Sequence, residues 1–286
     1  MRKDSKKSIK PNKRLGQHFL VDQNIITKII EKAELDKSDD ILEIGPGMGA
    51  LTIPVAGVVN SVVAVEKDDR LVDYLRKKLE EMHIENVTVI NNDILKVNLE
   101  ELAGSVNGKL KVLGNLPYNI SSPLLEKLIS SKRFFSKAFL MLQYEFARRL
   151  ASDPGSKDYG AITVMTRYES SISRLINVGR EVFYPQPKVG SMVIAIDLEM
   201  PYPVRAKNDR VFELVVRGAF AQRRKTIKNS LKVISDRFGT DQVSKALDKC
   251  NIDPLRRAET LSLDEFLKLA DTLSESCSVP IQKQPL

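Results

Sequence analysis

The segment ILEIGPGMGALT, residues 41–52, constrains the fold more than any other part of this chain. Aliphatic residues run into three glycines within five positions, Gly45, Gly47 and Gly49, and apolar residues then resume. That order reads as a buried strand, a tight loop and the start of a helix. Glycine turns sharply and lets a ligand approach the backbone with no Cβ in the way. A strand apolar on both sides needs cover on both faces, which a parallel sheet flanked by helices supplies. The remaining chain agrees. Further short β-branched or leucine-rich runs lie at Ser61–Val65, Val87–Ile90, Leu110–Leu113 and Ala138–Leu142. Helical periodicity separates them, as in Asp69–Met82, where Leu71, Leu75, Leu79 and Met82 share one face. Two later runs, Ile172–Val178 and Ser191–Leu198, have no long helix between them and read as a closing antiparallel pair at the sheet edge.

The pattern changes after Pro201 and Pro203. Beyond them Val211–Phe220, Thr226–Phe238, Asp241–Cys250 and Asp264–Leu273 all read helical. The expected organisation is a basic N-terminal arm (1–14), an α/β domain (15–205), a small all-helical domain (206–274) and a tail (275–286). With 42% hydrophobic residues the chain can form a core, and no apolar stretch approaches the ~20 residues of a membrane span. The start is basic without an apolar segment behind it, so it is no secretory signal, and it lacks the amphipathic arginine-rich run of a transit peptide. Cys250 and Cys277 are the only cysteines, His18 and His83 the only histidines. Neither a zinc site nor a disulfide framework follows from so few, and a reducing cytoplasm is the expected compartment.

The net charge of +8 is local. Residues 1–14, Lys13 and Arg14 among them, carry seven Lys and Arg against the single acid Asp4. A second cluster, residues 217–232, holds Arg217, Arg223, Arg224, Lys225, Lys228 and Lys232 with no acid. Two separated basic clusters with a near-neutral body between them point to a polyanion, and to nucleic acid before membrane, because neither is backed by a strong apolar face.

Candidate ligand groups fall at successive strand ends, the rim where open α/β sheets bind ligands. Glu66 ends the second strand, where a carboxylate can accept both hydroxyls of a ribose. Asp93 follows the third, where it can accept from an adenine amino group while Ile94 packs on the ring. The loop alone is ambiguous, since Gly45, Gly47 and Ala50 also satisfy the dinucleotide fingerprint.

The fourth strand runs into Asn115-Leu116-Pro117-Tyr118. As a bare pattern this is a turn. Chemically it suits an aromatic amine, a poor nucleophile because its lone pair is delocalised into the ring. Two acceptors on its hydrogens, the Asn115 side-chain oxygen and the Leu116 carbonyl, favour the pyramidal nucleophilic form. Pro117 sets the direction of that carbonyl. Tyr118 can stack on the base and tolerate positive charge moving from a sulfonium to the amine.

With LGQHFL (15–20), EIGPGMGALT (43–52), Glu66, Asn92-Asp93-Ile94, NLPYNISSP (115–123), FYPQPKVGS (183–191), AFAQRRKTIKNSL (219–231) and RAETLSLDEF (257–266) in collinear order, the chain closely resembles the ribosomal RNA adenine N6,N6-dimethyltransferases of the small subunit. The resemblance implies a Rossmann-like seven-stranded S-adenosylmethionine-dependent methyltransferase sheet with a small all-helical C-terminal domain. It implies S-adenosylmethionine as methyl donor and no metal. The implied donor shell is His18, Leu20, Glu43, Gly45, Gly47, Glu66, Lys67, Asp93, Ile94 and Asn115, with His18 standing where Asn is frequent. Phe183 matches the aromatic that sandwiches the target base opposite Tyr118. Lys188 is expected on the RNA backbone, with Lys13, Arg14, Arg223, Arg224, Lys225 and Lys228 as phosphate contacts. The implied partner is small-subunit rRNA in an immature small ribosomal subunit, met by a monomer without membrane involvement.

Four other readings compete. A large-subunit adenine methyltransferase of the resistance type shares domain and chemistry, but NLPYNISSP and PKVGS favour the small-subunit group. A DNA adenine methyltransferase would share the tetrapeptide but calls for a further target-recognition domain. A non-catalytic ribosome-assembly protein would not need Asn115, Tyr118, Glu66 and Asp93 together. A nicotinamide dehydrogenase rests on the glycine loop alone.

Overall fold

The computed structural model describes residues 10–104, 108–117 and 119–276, with the backbone only at Lys13. Most of the basic arm, Tyr118, Cys277 and the rest of the tail lie outside the described residues. The strands are β1 (Phe19–Leu20), β2 (Asp40–Ile44), β3 (Ser61–Glu66), β4 (Val87–Asn91), β5 (Leu110–Asn115), β6 (Phe135–Gln143), β7 (Ser171–Val178), β8 (Phe183–Tyr184) and β9 (Ser191–Asp197).

Seven of them form one sheet of order β4-β3-β2-β5-β6-β9-β7. Strand β2 pairs in parallel with both β3 and β5, and β9 runs antiparallel to β6 from Lys137↔Asp197 to Gln143↔Ser191. The chain builds outward from β2 to β4 and returns beside β2 with β5, so the reversal point lies between β2 and β5, where such sheets bind ligands. Register puts Ile44 opposite Val65 on one side and Gly114 on the other, so Gly45, Glu66 and Asn115 stand at one level of one rim. The closing edge expected from the two late runs is present, as β9 and its neighbour β7.

Burial explains the patterns. Ile41 and Leu42 are fully buried in β2, as its unbroken aliphatic run requires. Helix Asp69–Glu81 buries Leu71, Val72, Leu75 and Leu79, and Asp68 caps it by accepting from the Arg70 N–H. Met82, the last apolar position of the periodicity, falls beyond the helix and is exposed.

The chain divides into two units, residues 1–147 with 172–199, and residues 148–171 with 200 onward. The expected break near 205/206 therefore differs from the structure, in which residues 148–171 and 200–205 also belong to the second unit. Helix Ala161–Glu169, read as part of the sheet domain, has its apolar side chains in the helical core. Val164 and Tyr168, one helical turn apart, are both buried there, and Tyr168 packs on Phe212 with ring centroids 4.3 Å apart. Arg205 lies over the Tyr168 ring at 3.6 Å and pairs with Glu169 at 2.8 Å, which binds the linker into the same unit.

Two further expectations shift. Residues 226–238 form helix Ile227–Ser230, a 3-10 stretch Leu231–Ile234 and helix Ser235–Phe238. Apolar spacings of three and four suit both windings, so Ile227, Leu231, Ile234 and Phe238 are buried as a single helix would bury them. The last helix runs Leu263–Ser276, past the expected tail boundary, and its Glu275 accepts from Lys207 at 2.5 Å and Lys249 at 3.3 Å. Among the described residues no helix is long and apolar enough to cross a membrane.

Candidate active site

One cavity opens at the β2–β5 rim of the first unit. Its floor is the glycine loop. The Glu66 carboxylate accepts from the Gly47 N–H at 3.1 Å through one oxygen, and from the Lys67 and Asp68 N–H groups at 2.8 and 2.9 Å through the other. Burial raises its pKa, and the three N–H donors oppose that rise by favouring the ionised form. A positive φ of 59° at Gly47 and 79° at Gly49 explains why side chains are excluded there. A Cβ on Gly47 would also come within 3.2 Å of the Phe19 ring, which shares the cavity wall.

Glu43 is buried in β2 with its Oε2 facing no hydrogen-bond partner. Burial pushes its pKa up to about 7, while Thr52 beside it and the neighbouring charge of Glu66 act in opposite senses. A buried carboxyl on a cavity wall with an unspent oxygen is suited to a cationic group.

Asp93 lies at the far side of the rim. Its Oδ2 pairs with Lys67 Nζ at 2.7 Å, its Oδ1 accepts from the Leu95 N–H at 3.0 Å, and Lys67 holds its pKa below the usual carboxylate value. Lys67 thus reaches the cavity edge as the partner of Asp93. Lys127, which sequence reasoning passed over, clamps the same loop by donating to the Leu95 and Val97 carbonyls at 2.9 and 2.5 Å. Ile94 is buried and lines the cavity.

Asn115 ends β5. Its Nδ2 donates one hydrogen to the His18 carbonyl at 2.9 Å, which fixes the orientation of the amide and leaves its oxygen as an acceptor on the cavity lining. The Leu116 N–H is held by the Met141 carbonyl at 3.1 Å, and the Pro117 carbonyl accepts from the Ile120 N–H and the Ser121 hydroxyl, both at 3.2 Å. Among the described residues no donor reaches the Leu116 carbonyl. His18 Nδ1 lies 2.6 Å from the Pro185 carbonyl; a carbonyl only accepts, so this nitrogen carries the proton.

These contacts depend on a two-stranded sheet that sequence reasoning missed. Strands β1 and β8 pair antiparallel, Phe19↔Tyr184 and Leu20↔Phe183, and draw the LGQHFL and FYPQP segments together. Phe183 is 5% exposed, packs in a cluster with Leu20, Ile26 and Met141, and also lines the cavity. It therefore combines the core-packing and wall roles.

The cavity brings together His18, Leu20, Glu43, Gly45, Gly47, Glu66, Lys67, Asp93, Ile94, Asn115, Leu116, Pro117 and Phe183. Tyr118 and the side chain of Lys13 lie outside the described residues. Arg14 and Lys188 are exposed and do not line the cavity, although their neighbours Leu15 and Pro187 do. In the second unit Arg223, Arg224, Lys225 and Lys228 are exposed, and the Arg223 guanidinium also donates to the Lys157 and Tyr159 carbonyls at 2.6 and 2.9 Å and faces Glu259 at 3.7 Å. Phe19 and Gln17 were missed. Phe19 backs Gly47, and Gln17 donates to Asp68 Oδ2 at 2.9 Å, beside the Glu66 anchor; their place on either side of His18 in LGQHFL was the available signal.

A seven-stranded, mostly parallel sheet with an acid at the end of each of its first strands and a glycine loop between them is that of an S-adenosylmethionine-dependent methyltransferase. The family of ribosomal RNA adenine dimethylases matches residues 8–275, and the chain belongs to it. A ribosomal RNA small subunit methyltransferase A of Desulforapulum autotrophicum is 41% identical over 268 residues, covering 94% of each chain. One of Pelotomaculum thermopropionicum is 42% identical over 276 residues, covering 94% of this chain and 93% of its own. Among solved structures, a dimethyladenosine transferase from Plasmodium falciparum has a TM-score of 0.75 at 27% identity, covering 88% of this chain and 96% of that one. The 23S rRNA methyltransferase ErmE has a TM-score of 0.69 at 27% identity, covering 90% and 99%.

The residues present fit the donor. Its ribose diol needs acceptors, its amino acid end a negative partner and its adenine an apolar slot. Glu66, the unpartnered Glu43 oxygen, and Ile94 with Asp93 provide these.

Proposed function

We propose that this protein transfers methyl groups from S-adenosylmethionine to N6 of two adjacent adenosines in a loop near the 3′ end of small-subunit rRNA, twice on each base. We further propose that it meets this RNA as a monomer, in an immature small subunit in the cytoplasm, without a metal. The observation that carries the reading is the Asn115 amide, oriented by its bond to the His18 carbonyl so that its oxygen and the Leu116 carbonyl remain as paired acceptors at the cavity. Relatives named for the small subunit, at 41 and 42% identity against 27% for the 23S enzyme, support that choice of RNA.

Bound S-adenosylmethionine supplies an electrophilic methyl on a sulfonium. Glu66 holds the ribose, Glu43 the cationic end, and Asp93 with Ile94 the adenine. In the first transfer Asn115 and Leu116 accept from the two hydrogens of the target amine, which turns its lone pair toward the methyl; in the second the monomethylated amine has one hydrogen left to donate to them. Acceptors preorganised in this way are worth about 3–4 kcal/mol each at the transition state. Phe183 and Tyr118 sandwich the flipped base, whose extraction costs only a few kcal/mol from a loop. Holding the reactants in line supplies roughly 7–11 kcal/mol more. The methylated amine, now an aromatic ammonium, sheds its proton to water, so no side chain is needed as base. Lys13, Arg14, Lys188, Arg223, Arg224, Lys225 and Lys228 contact phosphates, and binding weakens with salt.

Small subunits lacking the modification, incubated with protein and donor, are expected to gain two dimethylated adjacent adenosines by mass spectrometry of the rRNA. Methylation confined to large-subunit rRNA or to DNA, or none at all, refutes the reading.

A further inference from the structure

The methyl-transfer reading gives a task to Phe183 but none to its neighbour. Tyr184 is 59% exposed, although it belongs to the same two-residue strand as the buried Phe183. Large aromatic side chains lose free energy by standing in water and are more often covered. Flexibility does not account for it, because its backbone is held. Tyr184 is paired with Phe19, the Val21 N–H donates to the Val182 carbonyl at 2.9 Å, and the Pro185 carbonyl accepts a hydrogen bond from His18 Nδ1.

Position gives the ring a use. Directly opposed residues of an antiparallel pair carry their side chains on the same face, with Cβ atoms about 5 Å apart. Tyr184 therefore stands beside Phe19, which lines the cavity against Gly47. Among the described residues its hydroxyl has no hydrogen-bond partner and its ring no aromatic neighbour. Successive side chains of a strand point to opposite faces, so Tyr184 points away from the buried Phe183 and out of the pocket. A base extruded from its stack to lie against Phe183 leaves its chain neighbour outside the pocket, where an exposed ring can meet it. Exposed Lys188, four residues further on, supplies the charge to hold the intervening phosphate.

We propose that Tyr184 is a stacking platform for the unpaired base next to the target adenosine, so that the enzyme grips two consecutive nucleotides while methylating one. The proposal rests on the methyl-transfer reading. It assigns Tyr184 to RNA binding and not to the donor or to the transfer step. Stacking needs a flat π face but no hydroxyl, so phenylalanine serves as well as tyrosine, and leucine, of similar bulk, does not.

The test compares wild type with Tyr184→Ala, Tyr184→Leu and Tyr184→Phe on unmethylated small subunits, with labelled S-adenosylmethionine as the probe. Tyr184→Ala and Tyr184→Leu are expected to lower kcat/KM for the subunit roughly tenfold to a hundredfold, mainly through KM, because base–aromatic stacking is uniform binding. Tyr184→Phe stays within about twofold of wild type, and donor affinity, measured calorimetrically without RNA, is the same in all four. A Tyr184→Ala variant equal to an active wild type overturns the proposal alone, as does a Tyr184→Phe variant as impaired as Tyr184→Ala, or a loss that appears only in kcat. A wild-type protein that methylates no ribosomal RNA overturns the functional reading and this inference with it.

Discussion

Glu43 offers a quantitative test of how the donor cavity is built. Folding buries this carboxyl with one oxygen unpaired and lifts its pKa from 4.5 to about 7. The folded state therefore binds more protons than the unfolded state between those values, and stability falls as pH rises through the window. At 1.36 kcal/mol per pKa unit, the full penalty is about 3 kcal/mol above pH 7 and under about 1 kcal/mol at pH 5. Glu43→Gln, neutral and nearly isosteric, removes it. In urea unfolding the variant should be more stable than wild type by up to about 3 kcal/mol at pH 8 and nearly equal at pH 5. Donor affinity should move the other way, because the variant lacks the negative partner that the cationic end of the donor needs. Wild type should also release close to one proton on binding donor near pH 6, seen as a buffer-dependent enthalpy in calorimetry. A stability difference that does not depend on pH, or donor affinity unchanged by the substitution, would refute the reasoning.

Asn115→Ala should lower kcat about a hundredfold or more, the usual effect of losing one preorganised partner of the reacting group; single-turnover kinetics within tenfold of wild type would show that its oxygen does not act on the amine. Gly49→Ala combines a left-handed backbone, φ 79°, with a Cβ 2.6 Å from the buried Leu75 Cδ1. Strain and overpacking together should cost about 2–4 kcal/mol in thermal or urea unfolding, and a loss below 1 kcal/mol would mean that the loop relaxes freely. Arg223→Ala should destabilise the helical unit by about 0.5–1.5 kcal/mol in urea unfolding, since it removes a donor to two partly exposed carbonyls that water can replace. Lys228→Ala should leave stability alone and reduce the salt slope of RNA binding by about one, as gel-shift titrations over a salt series would report.

The sheet was legible because its strands are nearly pure aliphatic runs. Ile41–Ile44 and Ala138–Leu142 differ from β2 and β6 only at their ends. The rim was legible for a related reason: a parallel strand that ends in an acid or amide delivers that side chain to the same edge as its neighbours. Strands β1 and β8 were not legible. Two residues carry no alternation to read, and their pairing joins segments far apart in the chain. The allocation of Ala161–Glu169 failed similarly, because Val164 and Tyr168 show that the helix has an apolar face without showing which core receives it. Arg223 is exposed like its neighbours, and the sequence shows only its charge; that it also donates to two carbonyls is visible only in the fold.

The pairing of Phe19 and Leu20 with Tyr184 and Phe183 bears on how the enzyme comes into being. A polypeptide emerging from the exit tunnel displays its glycine loop early, but the segment that completes the pocket wall, and β9 behind it, are made more than a hundred residues later. Donor capture thus awaits nearly complete translation of the sheet unit, and a chain stalled before Phe183 has the signature loop without the means to close it.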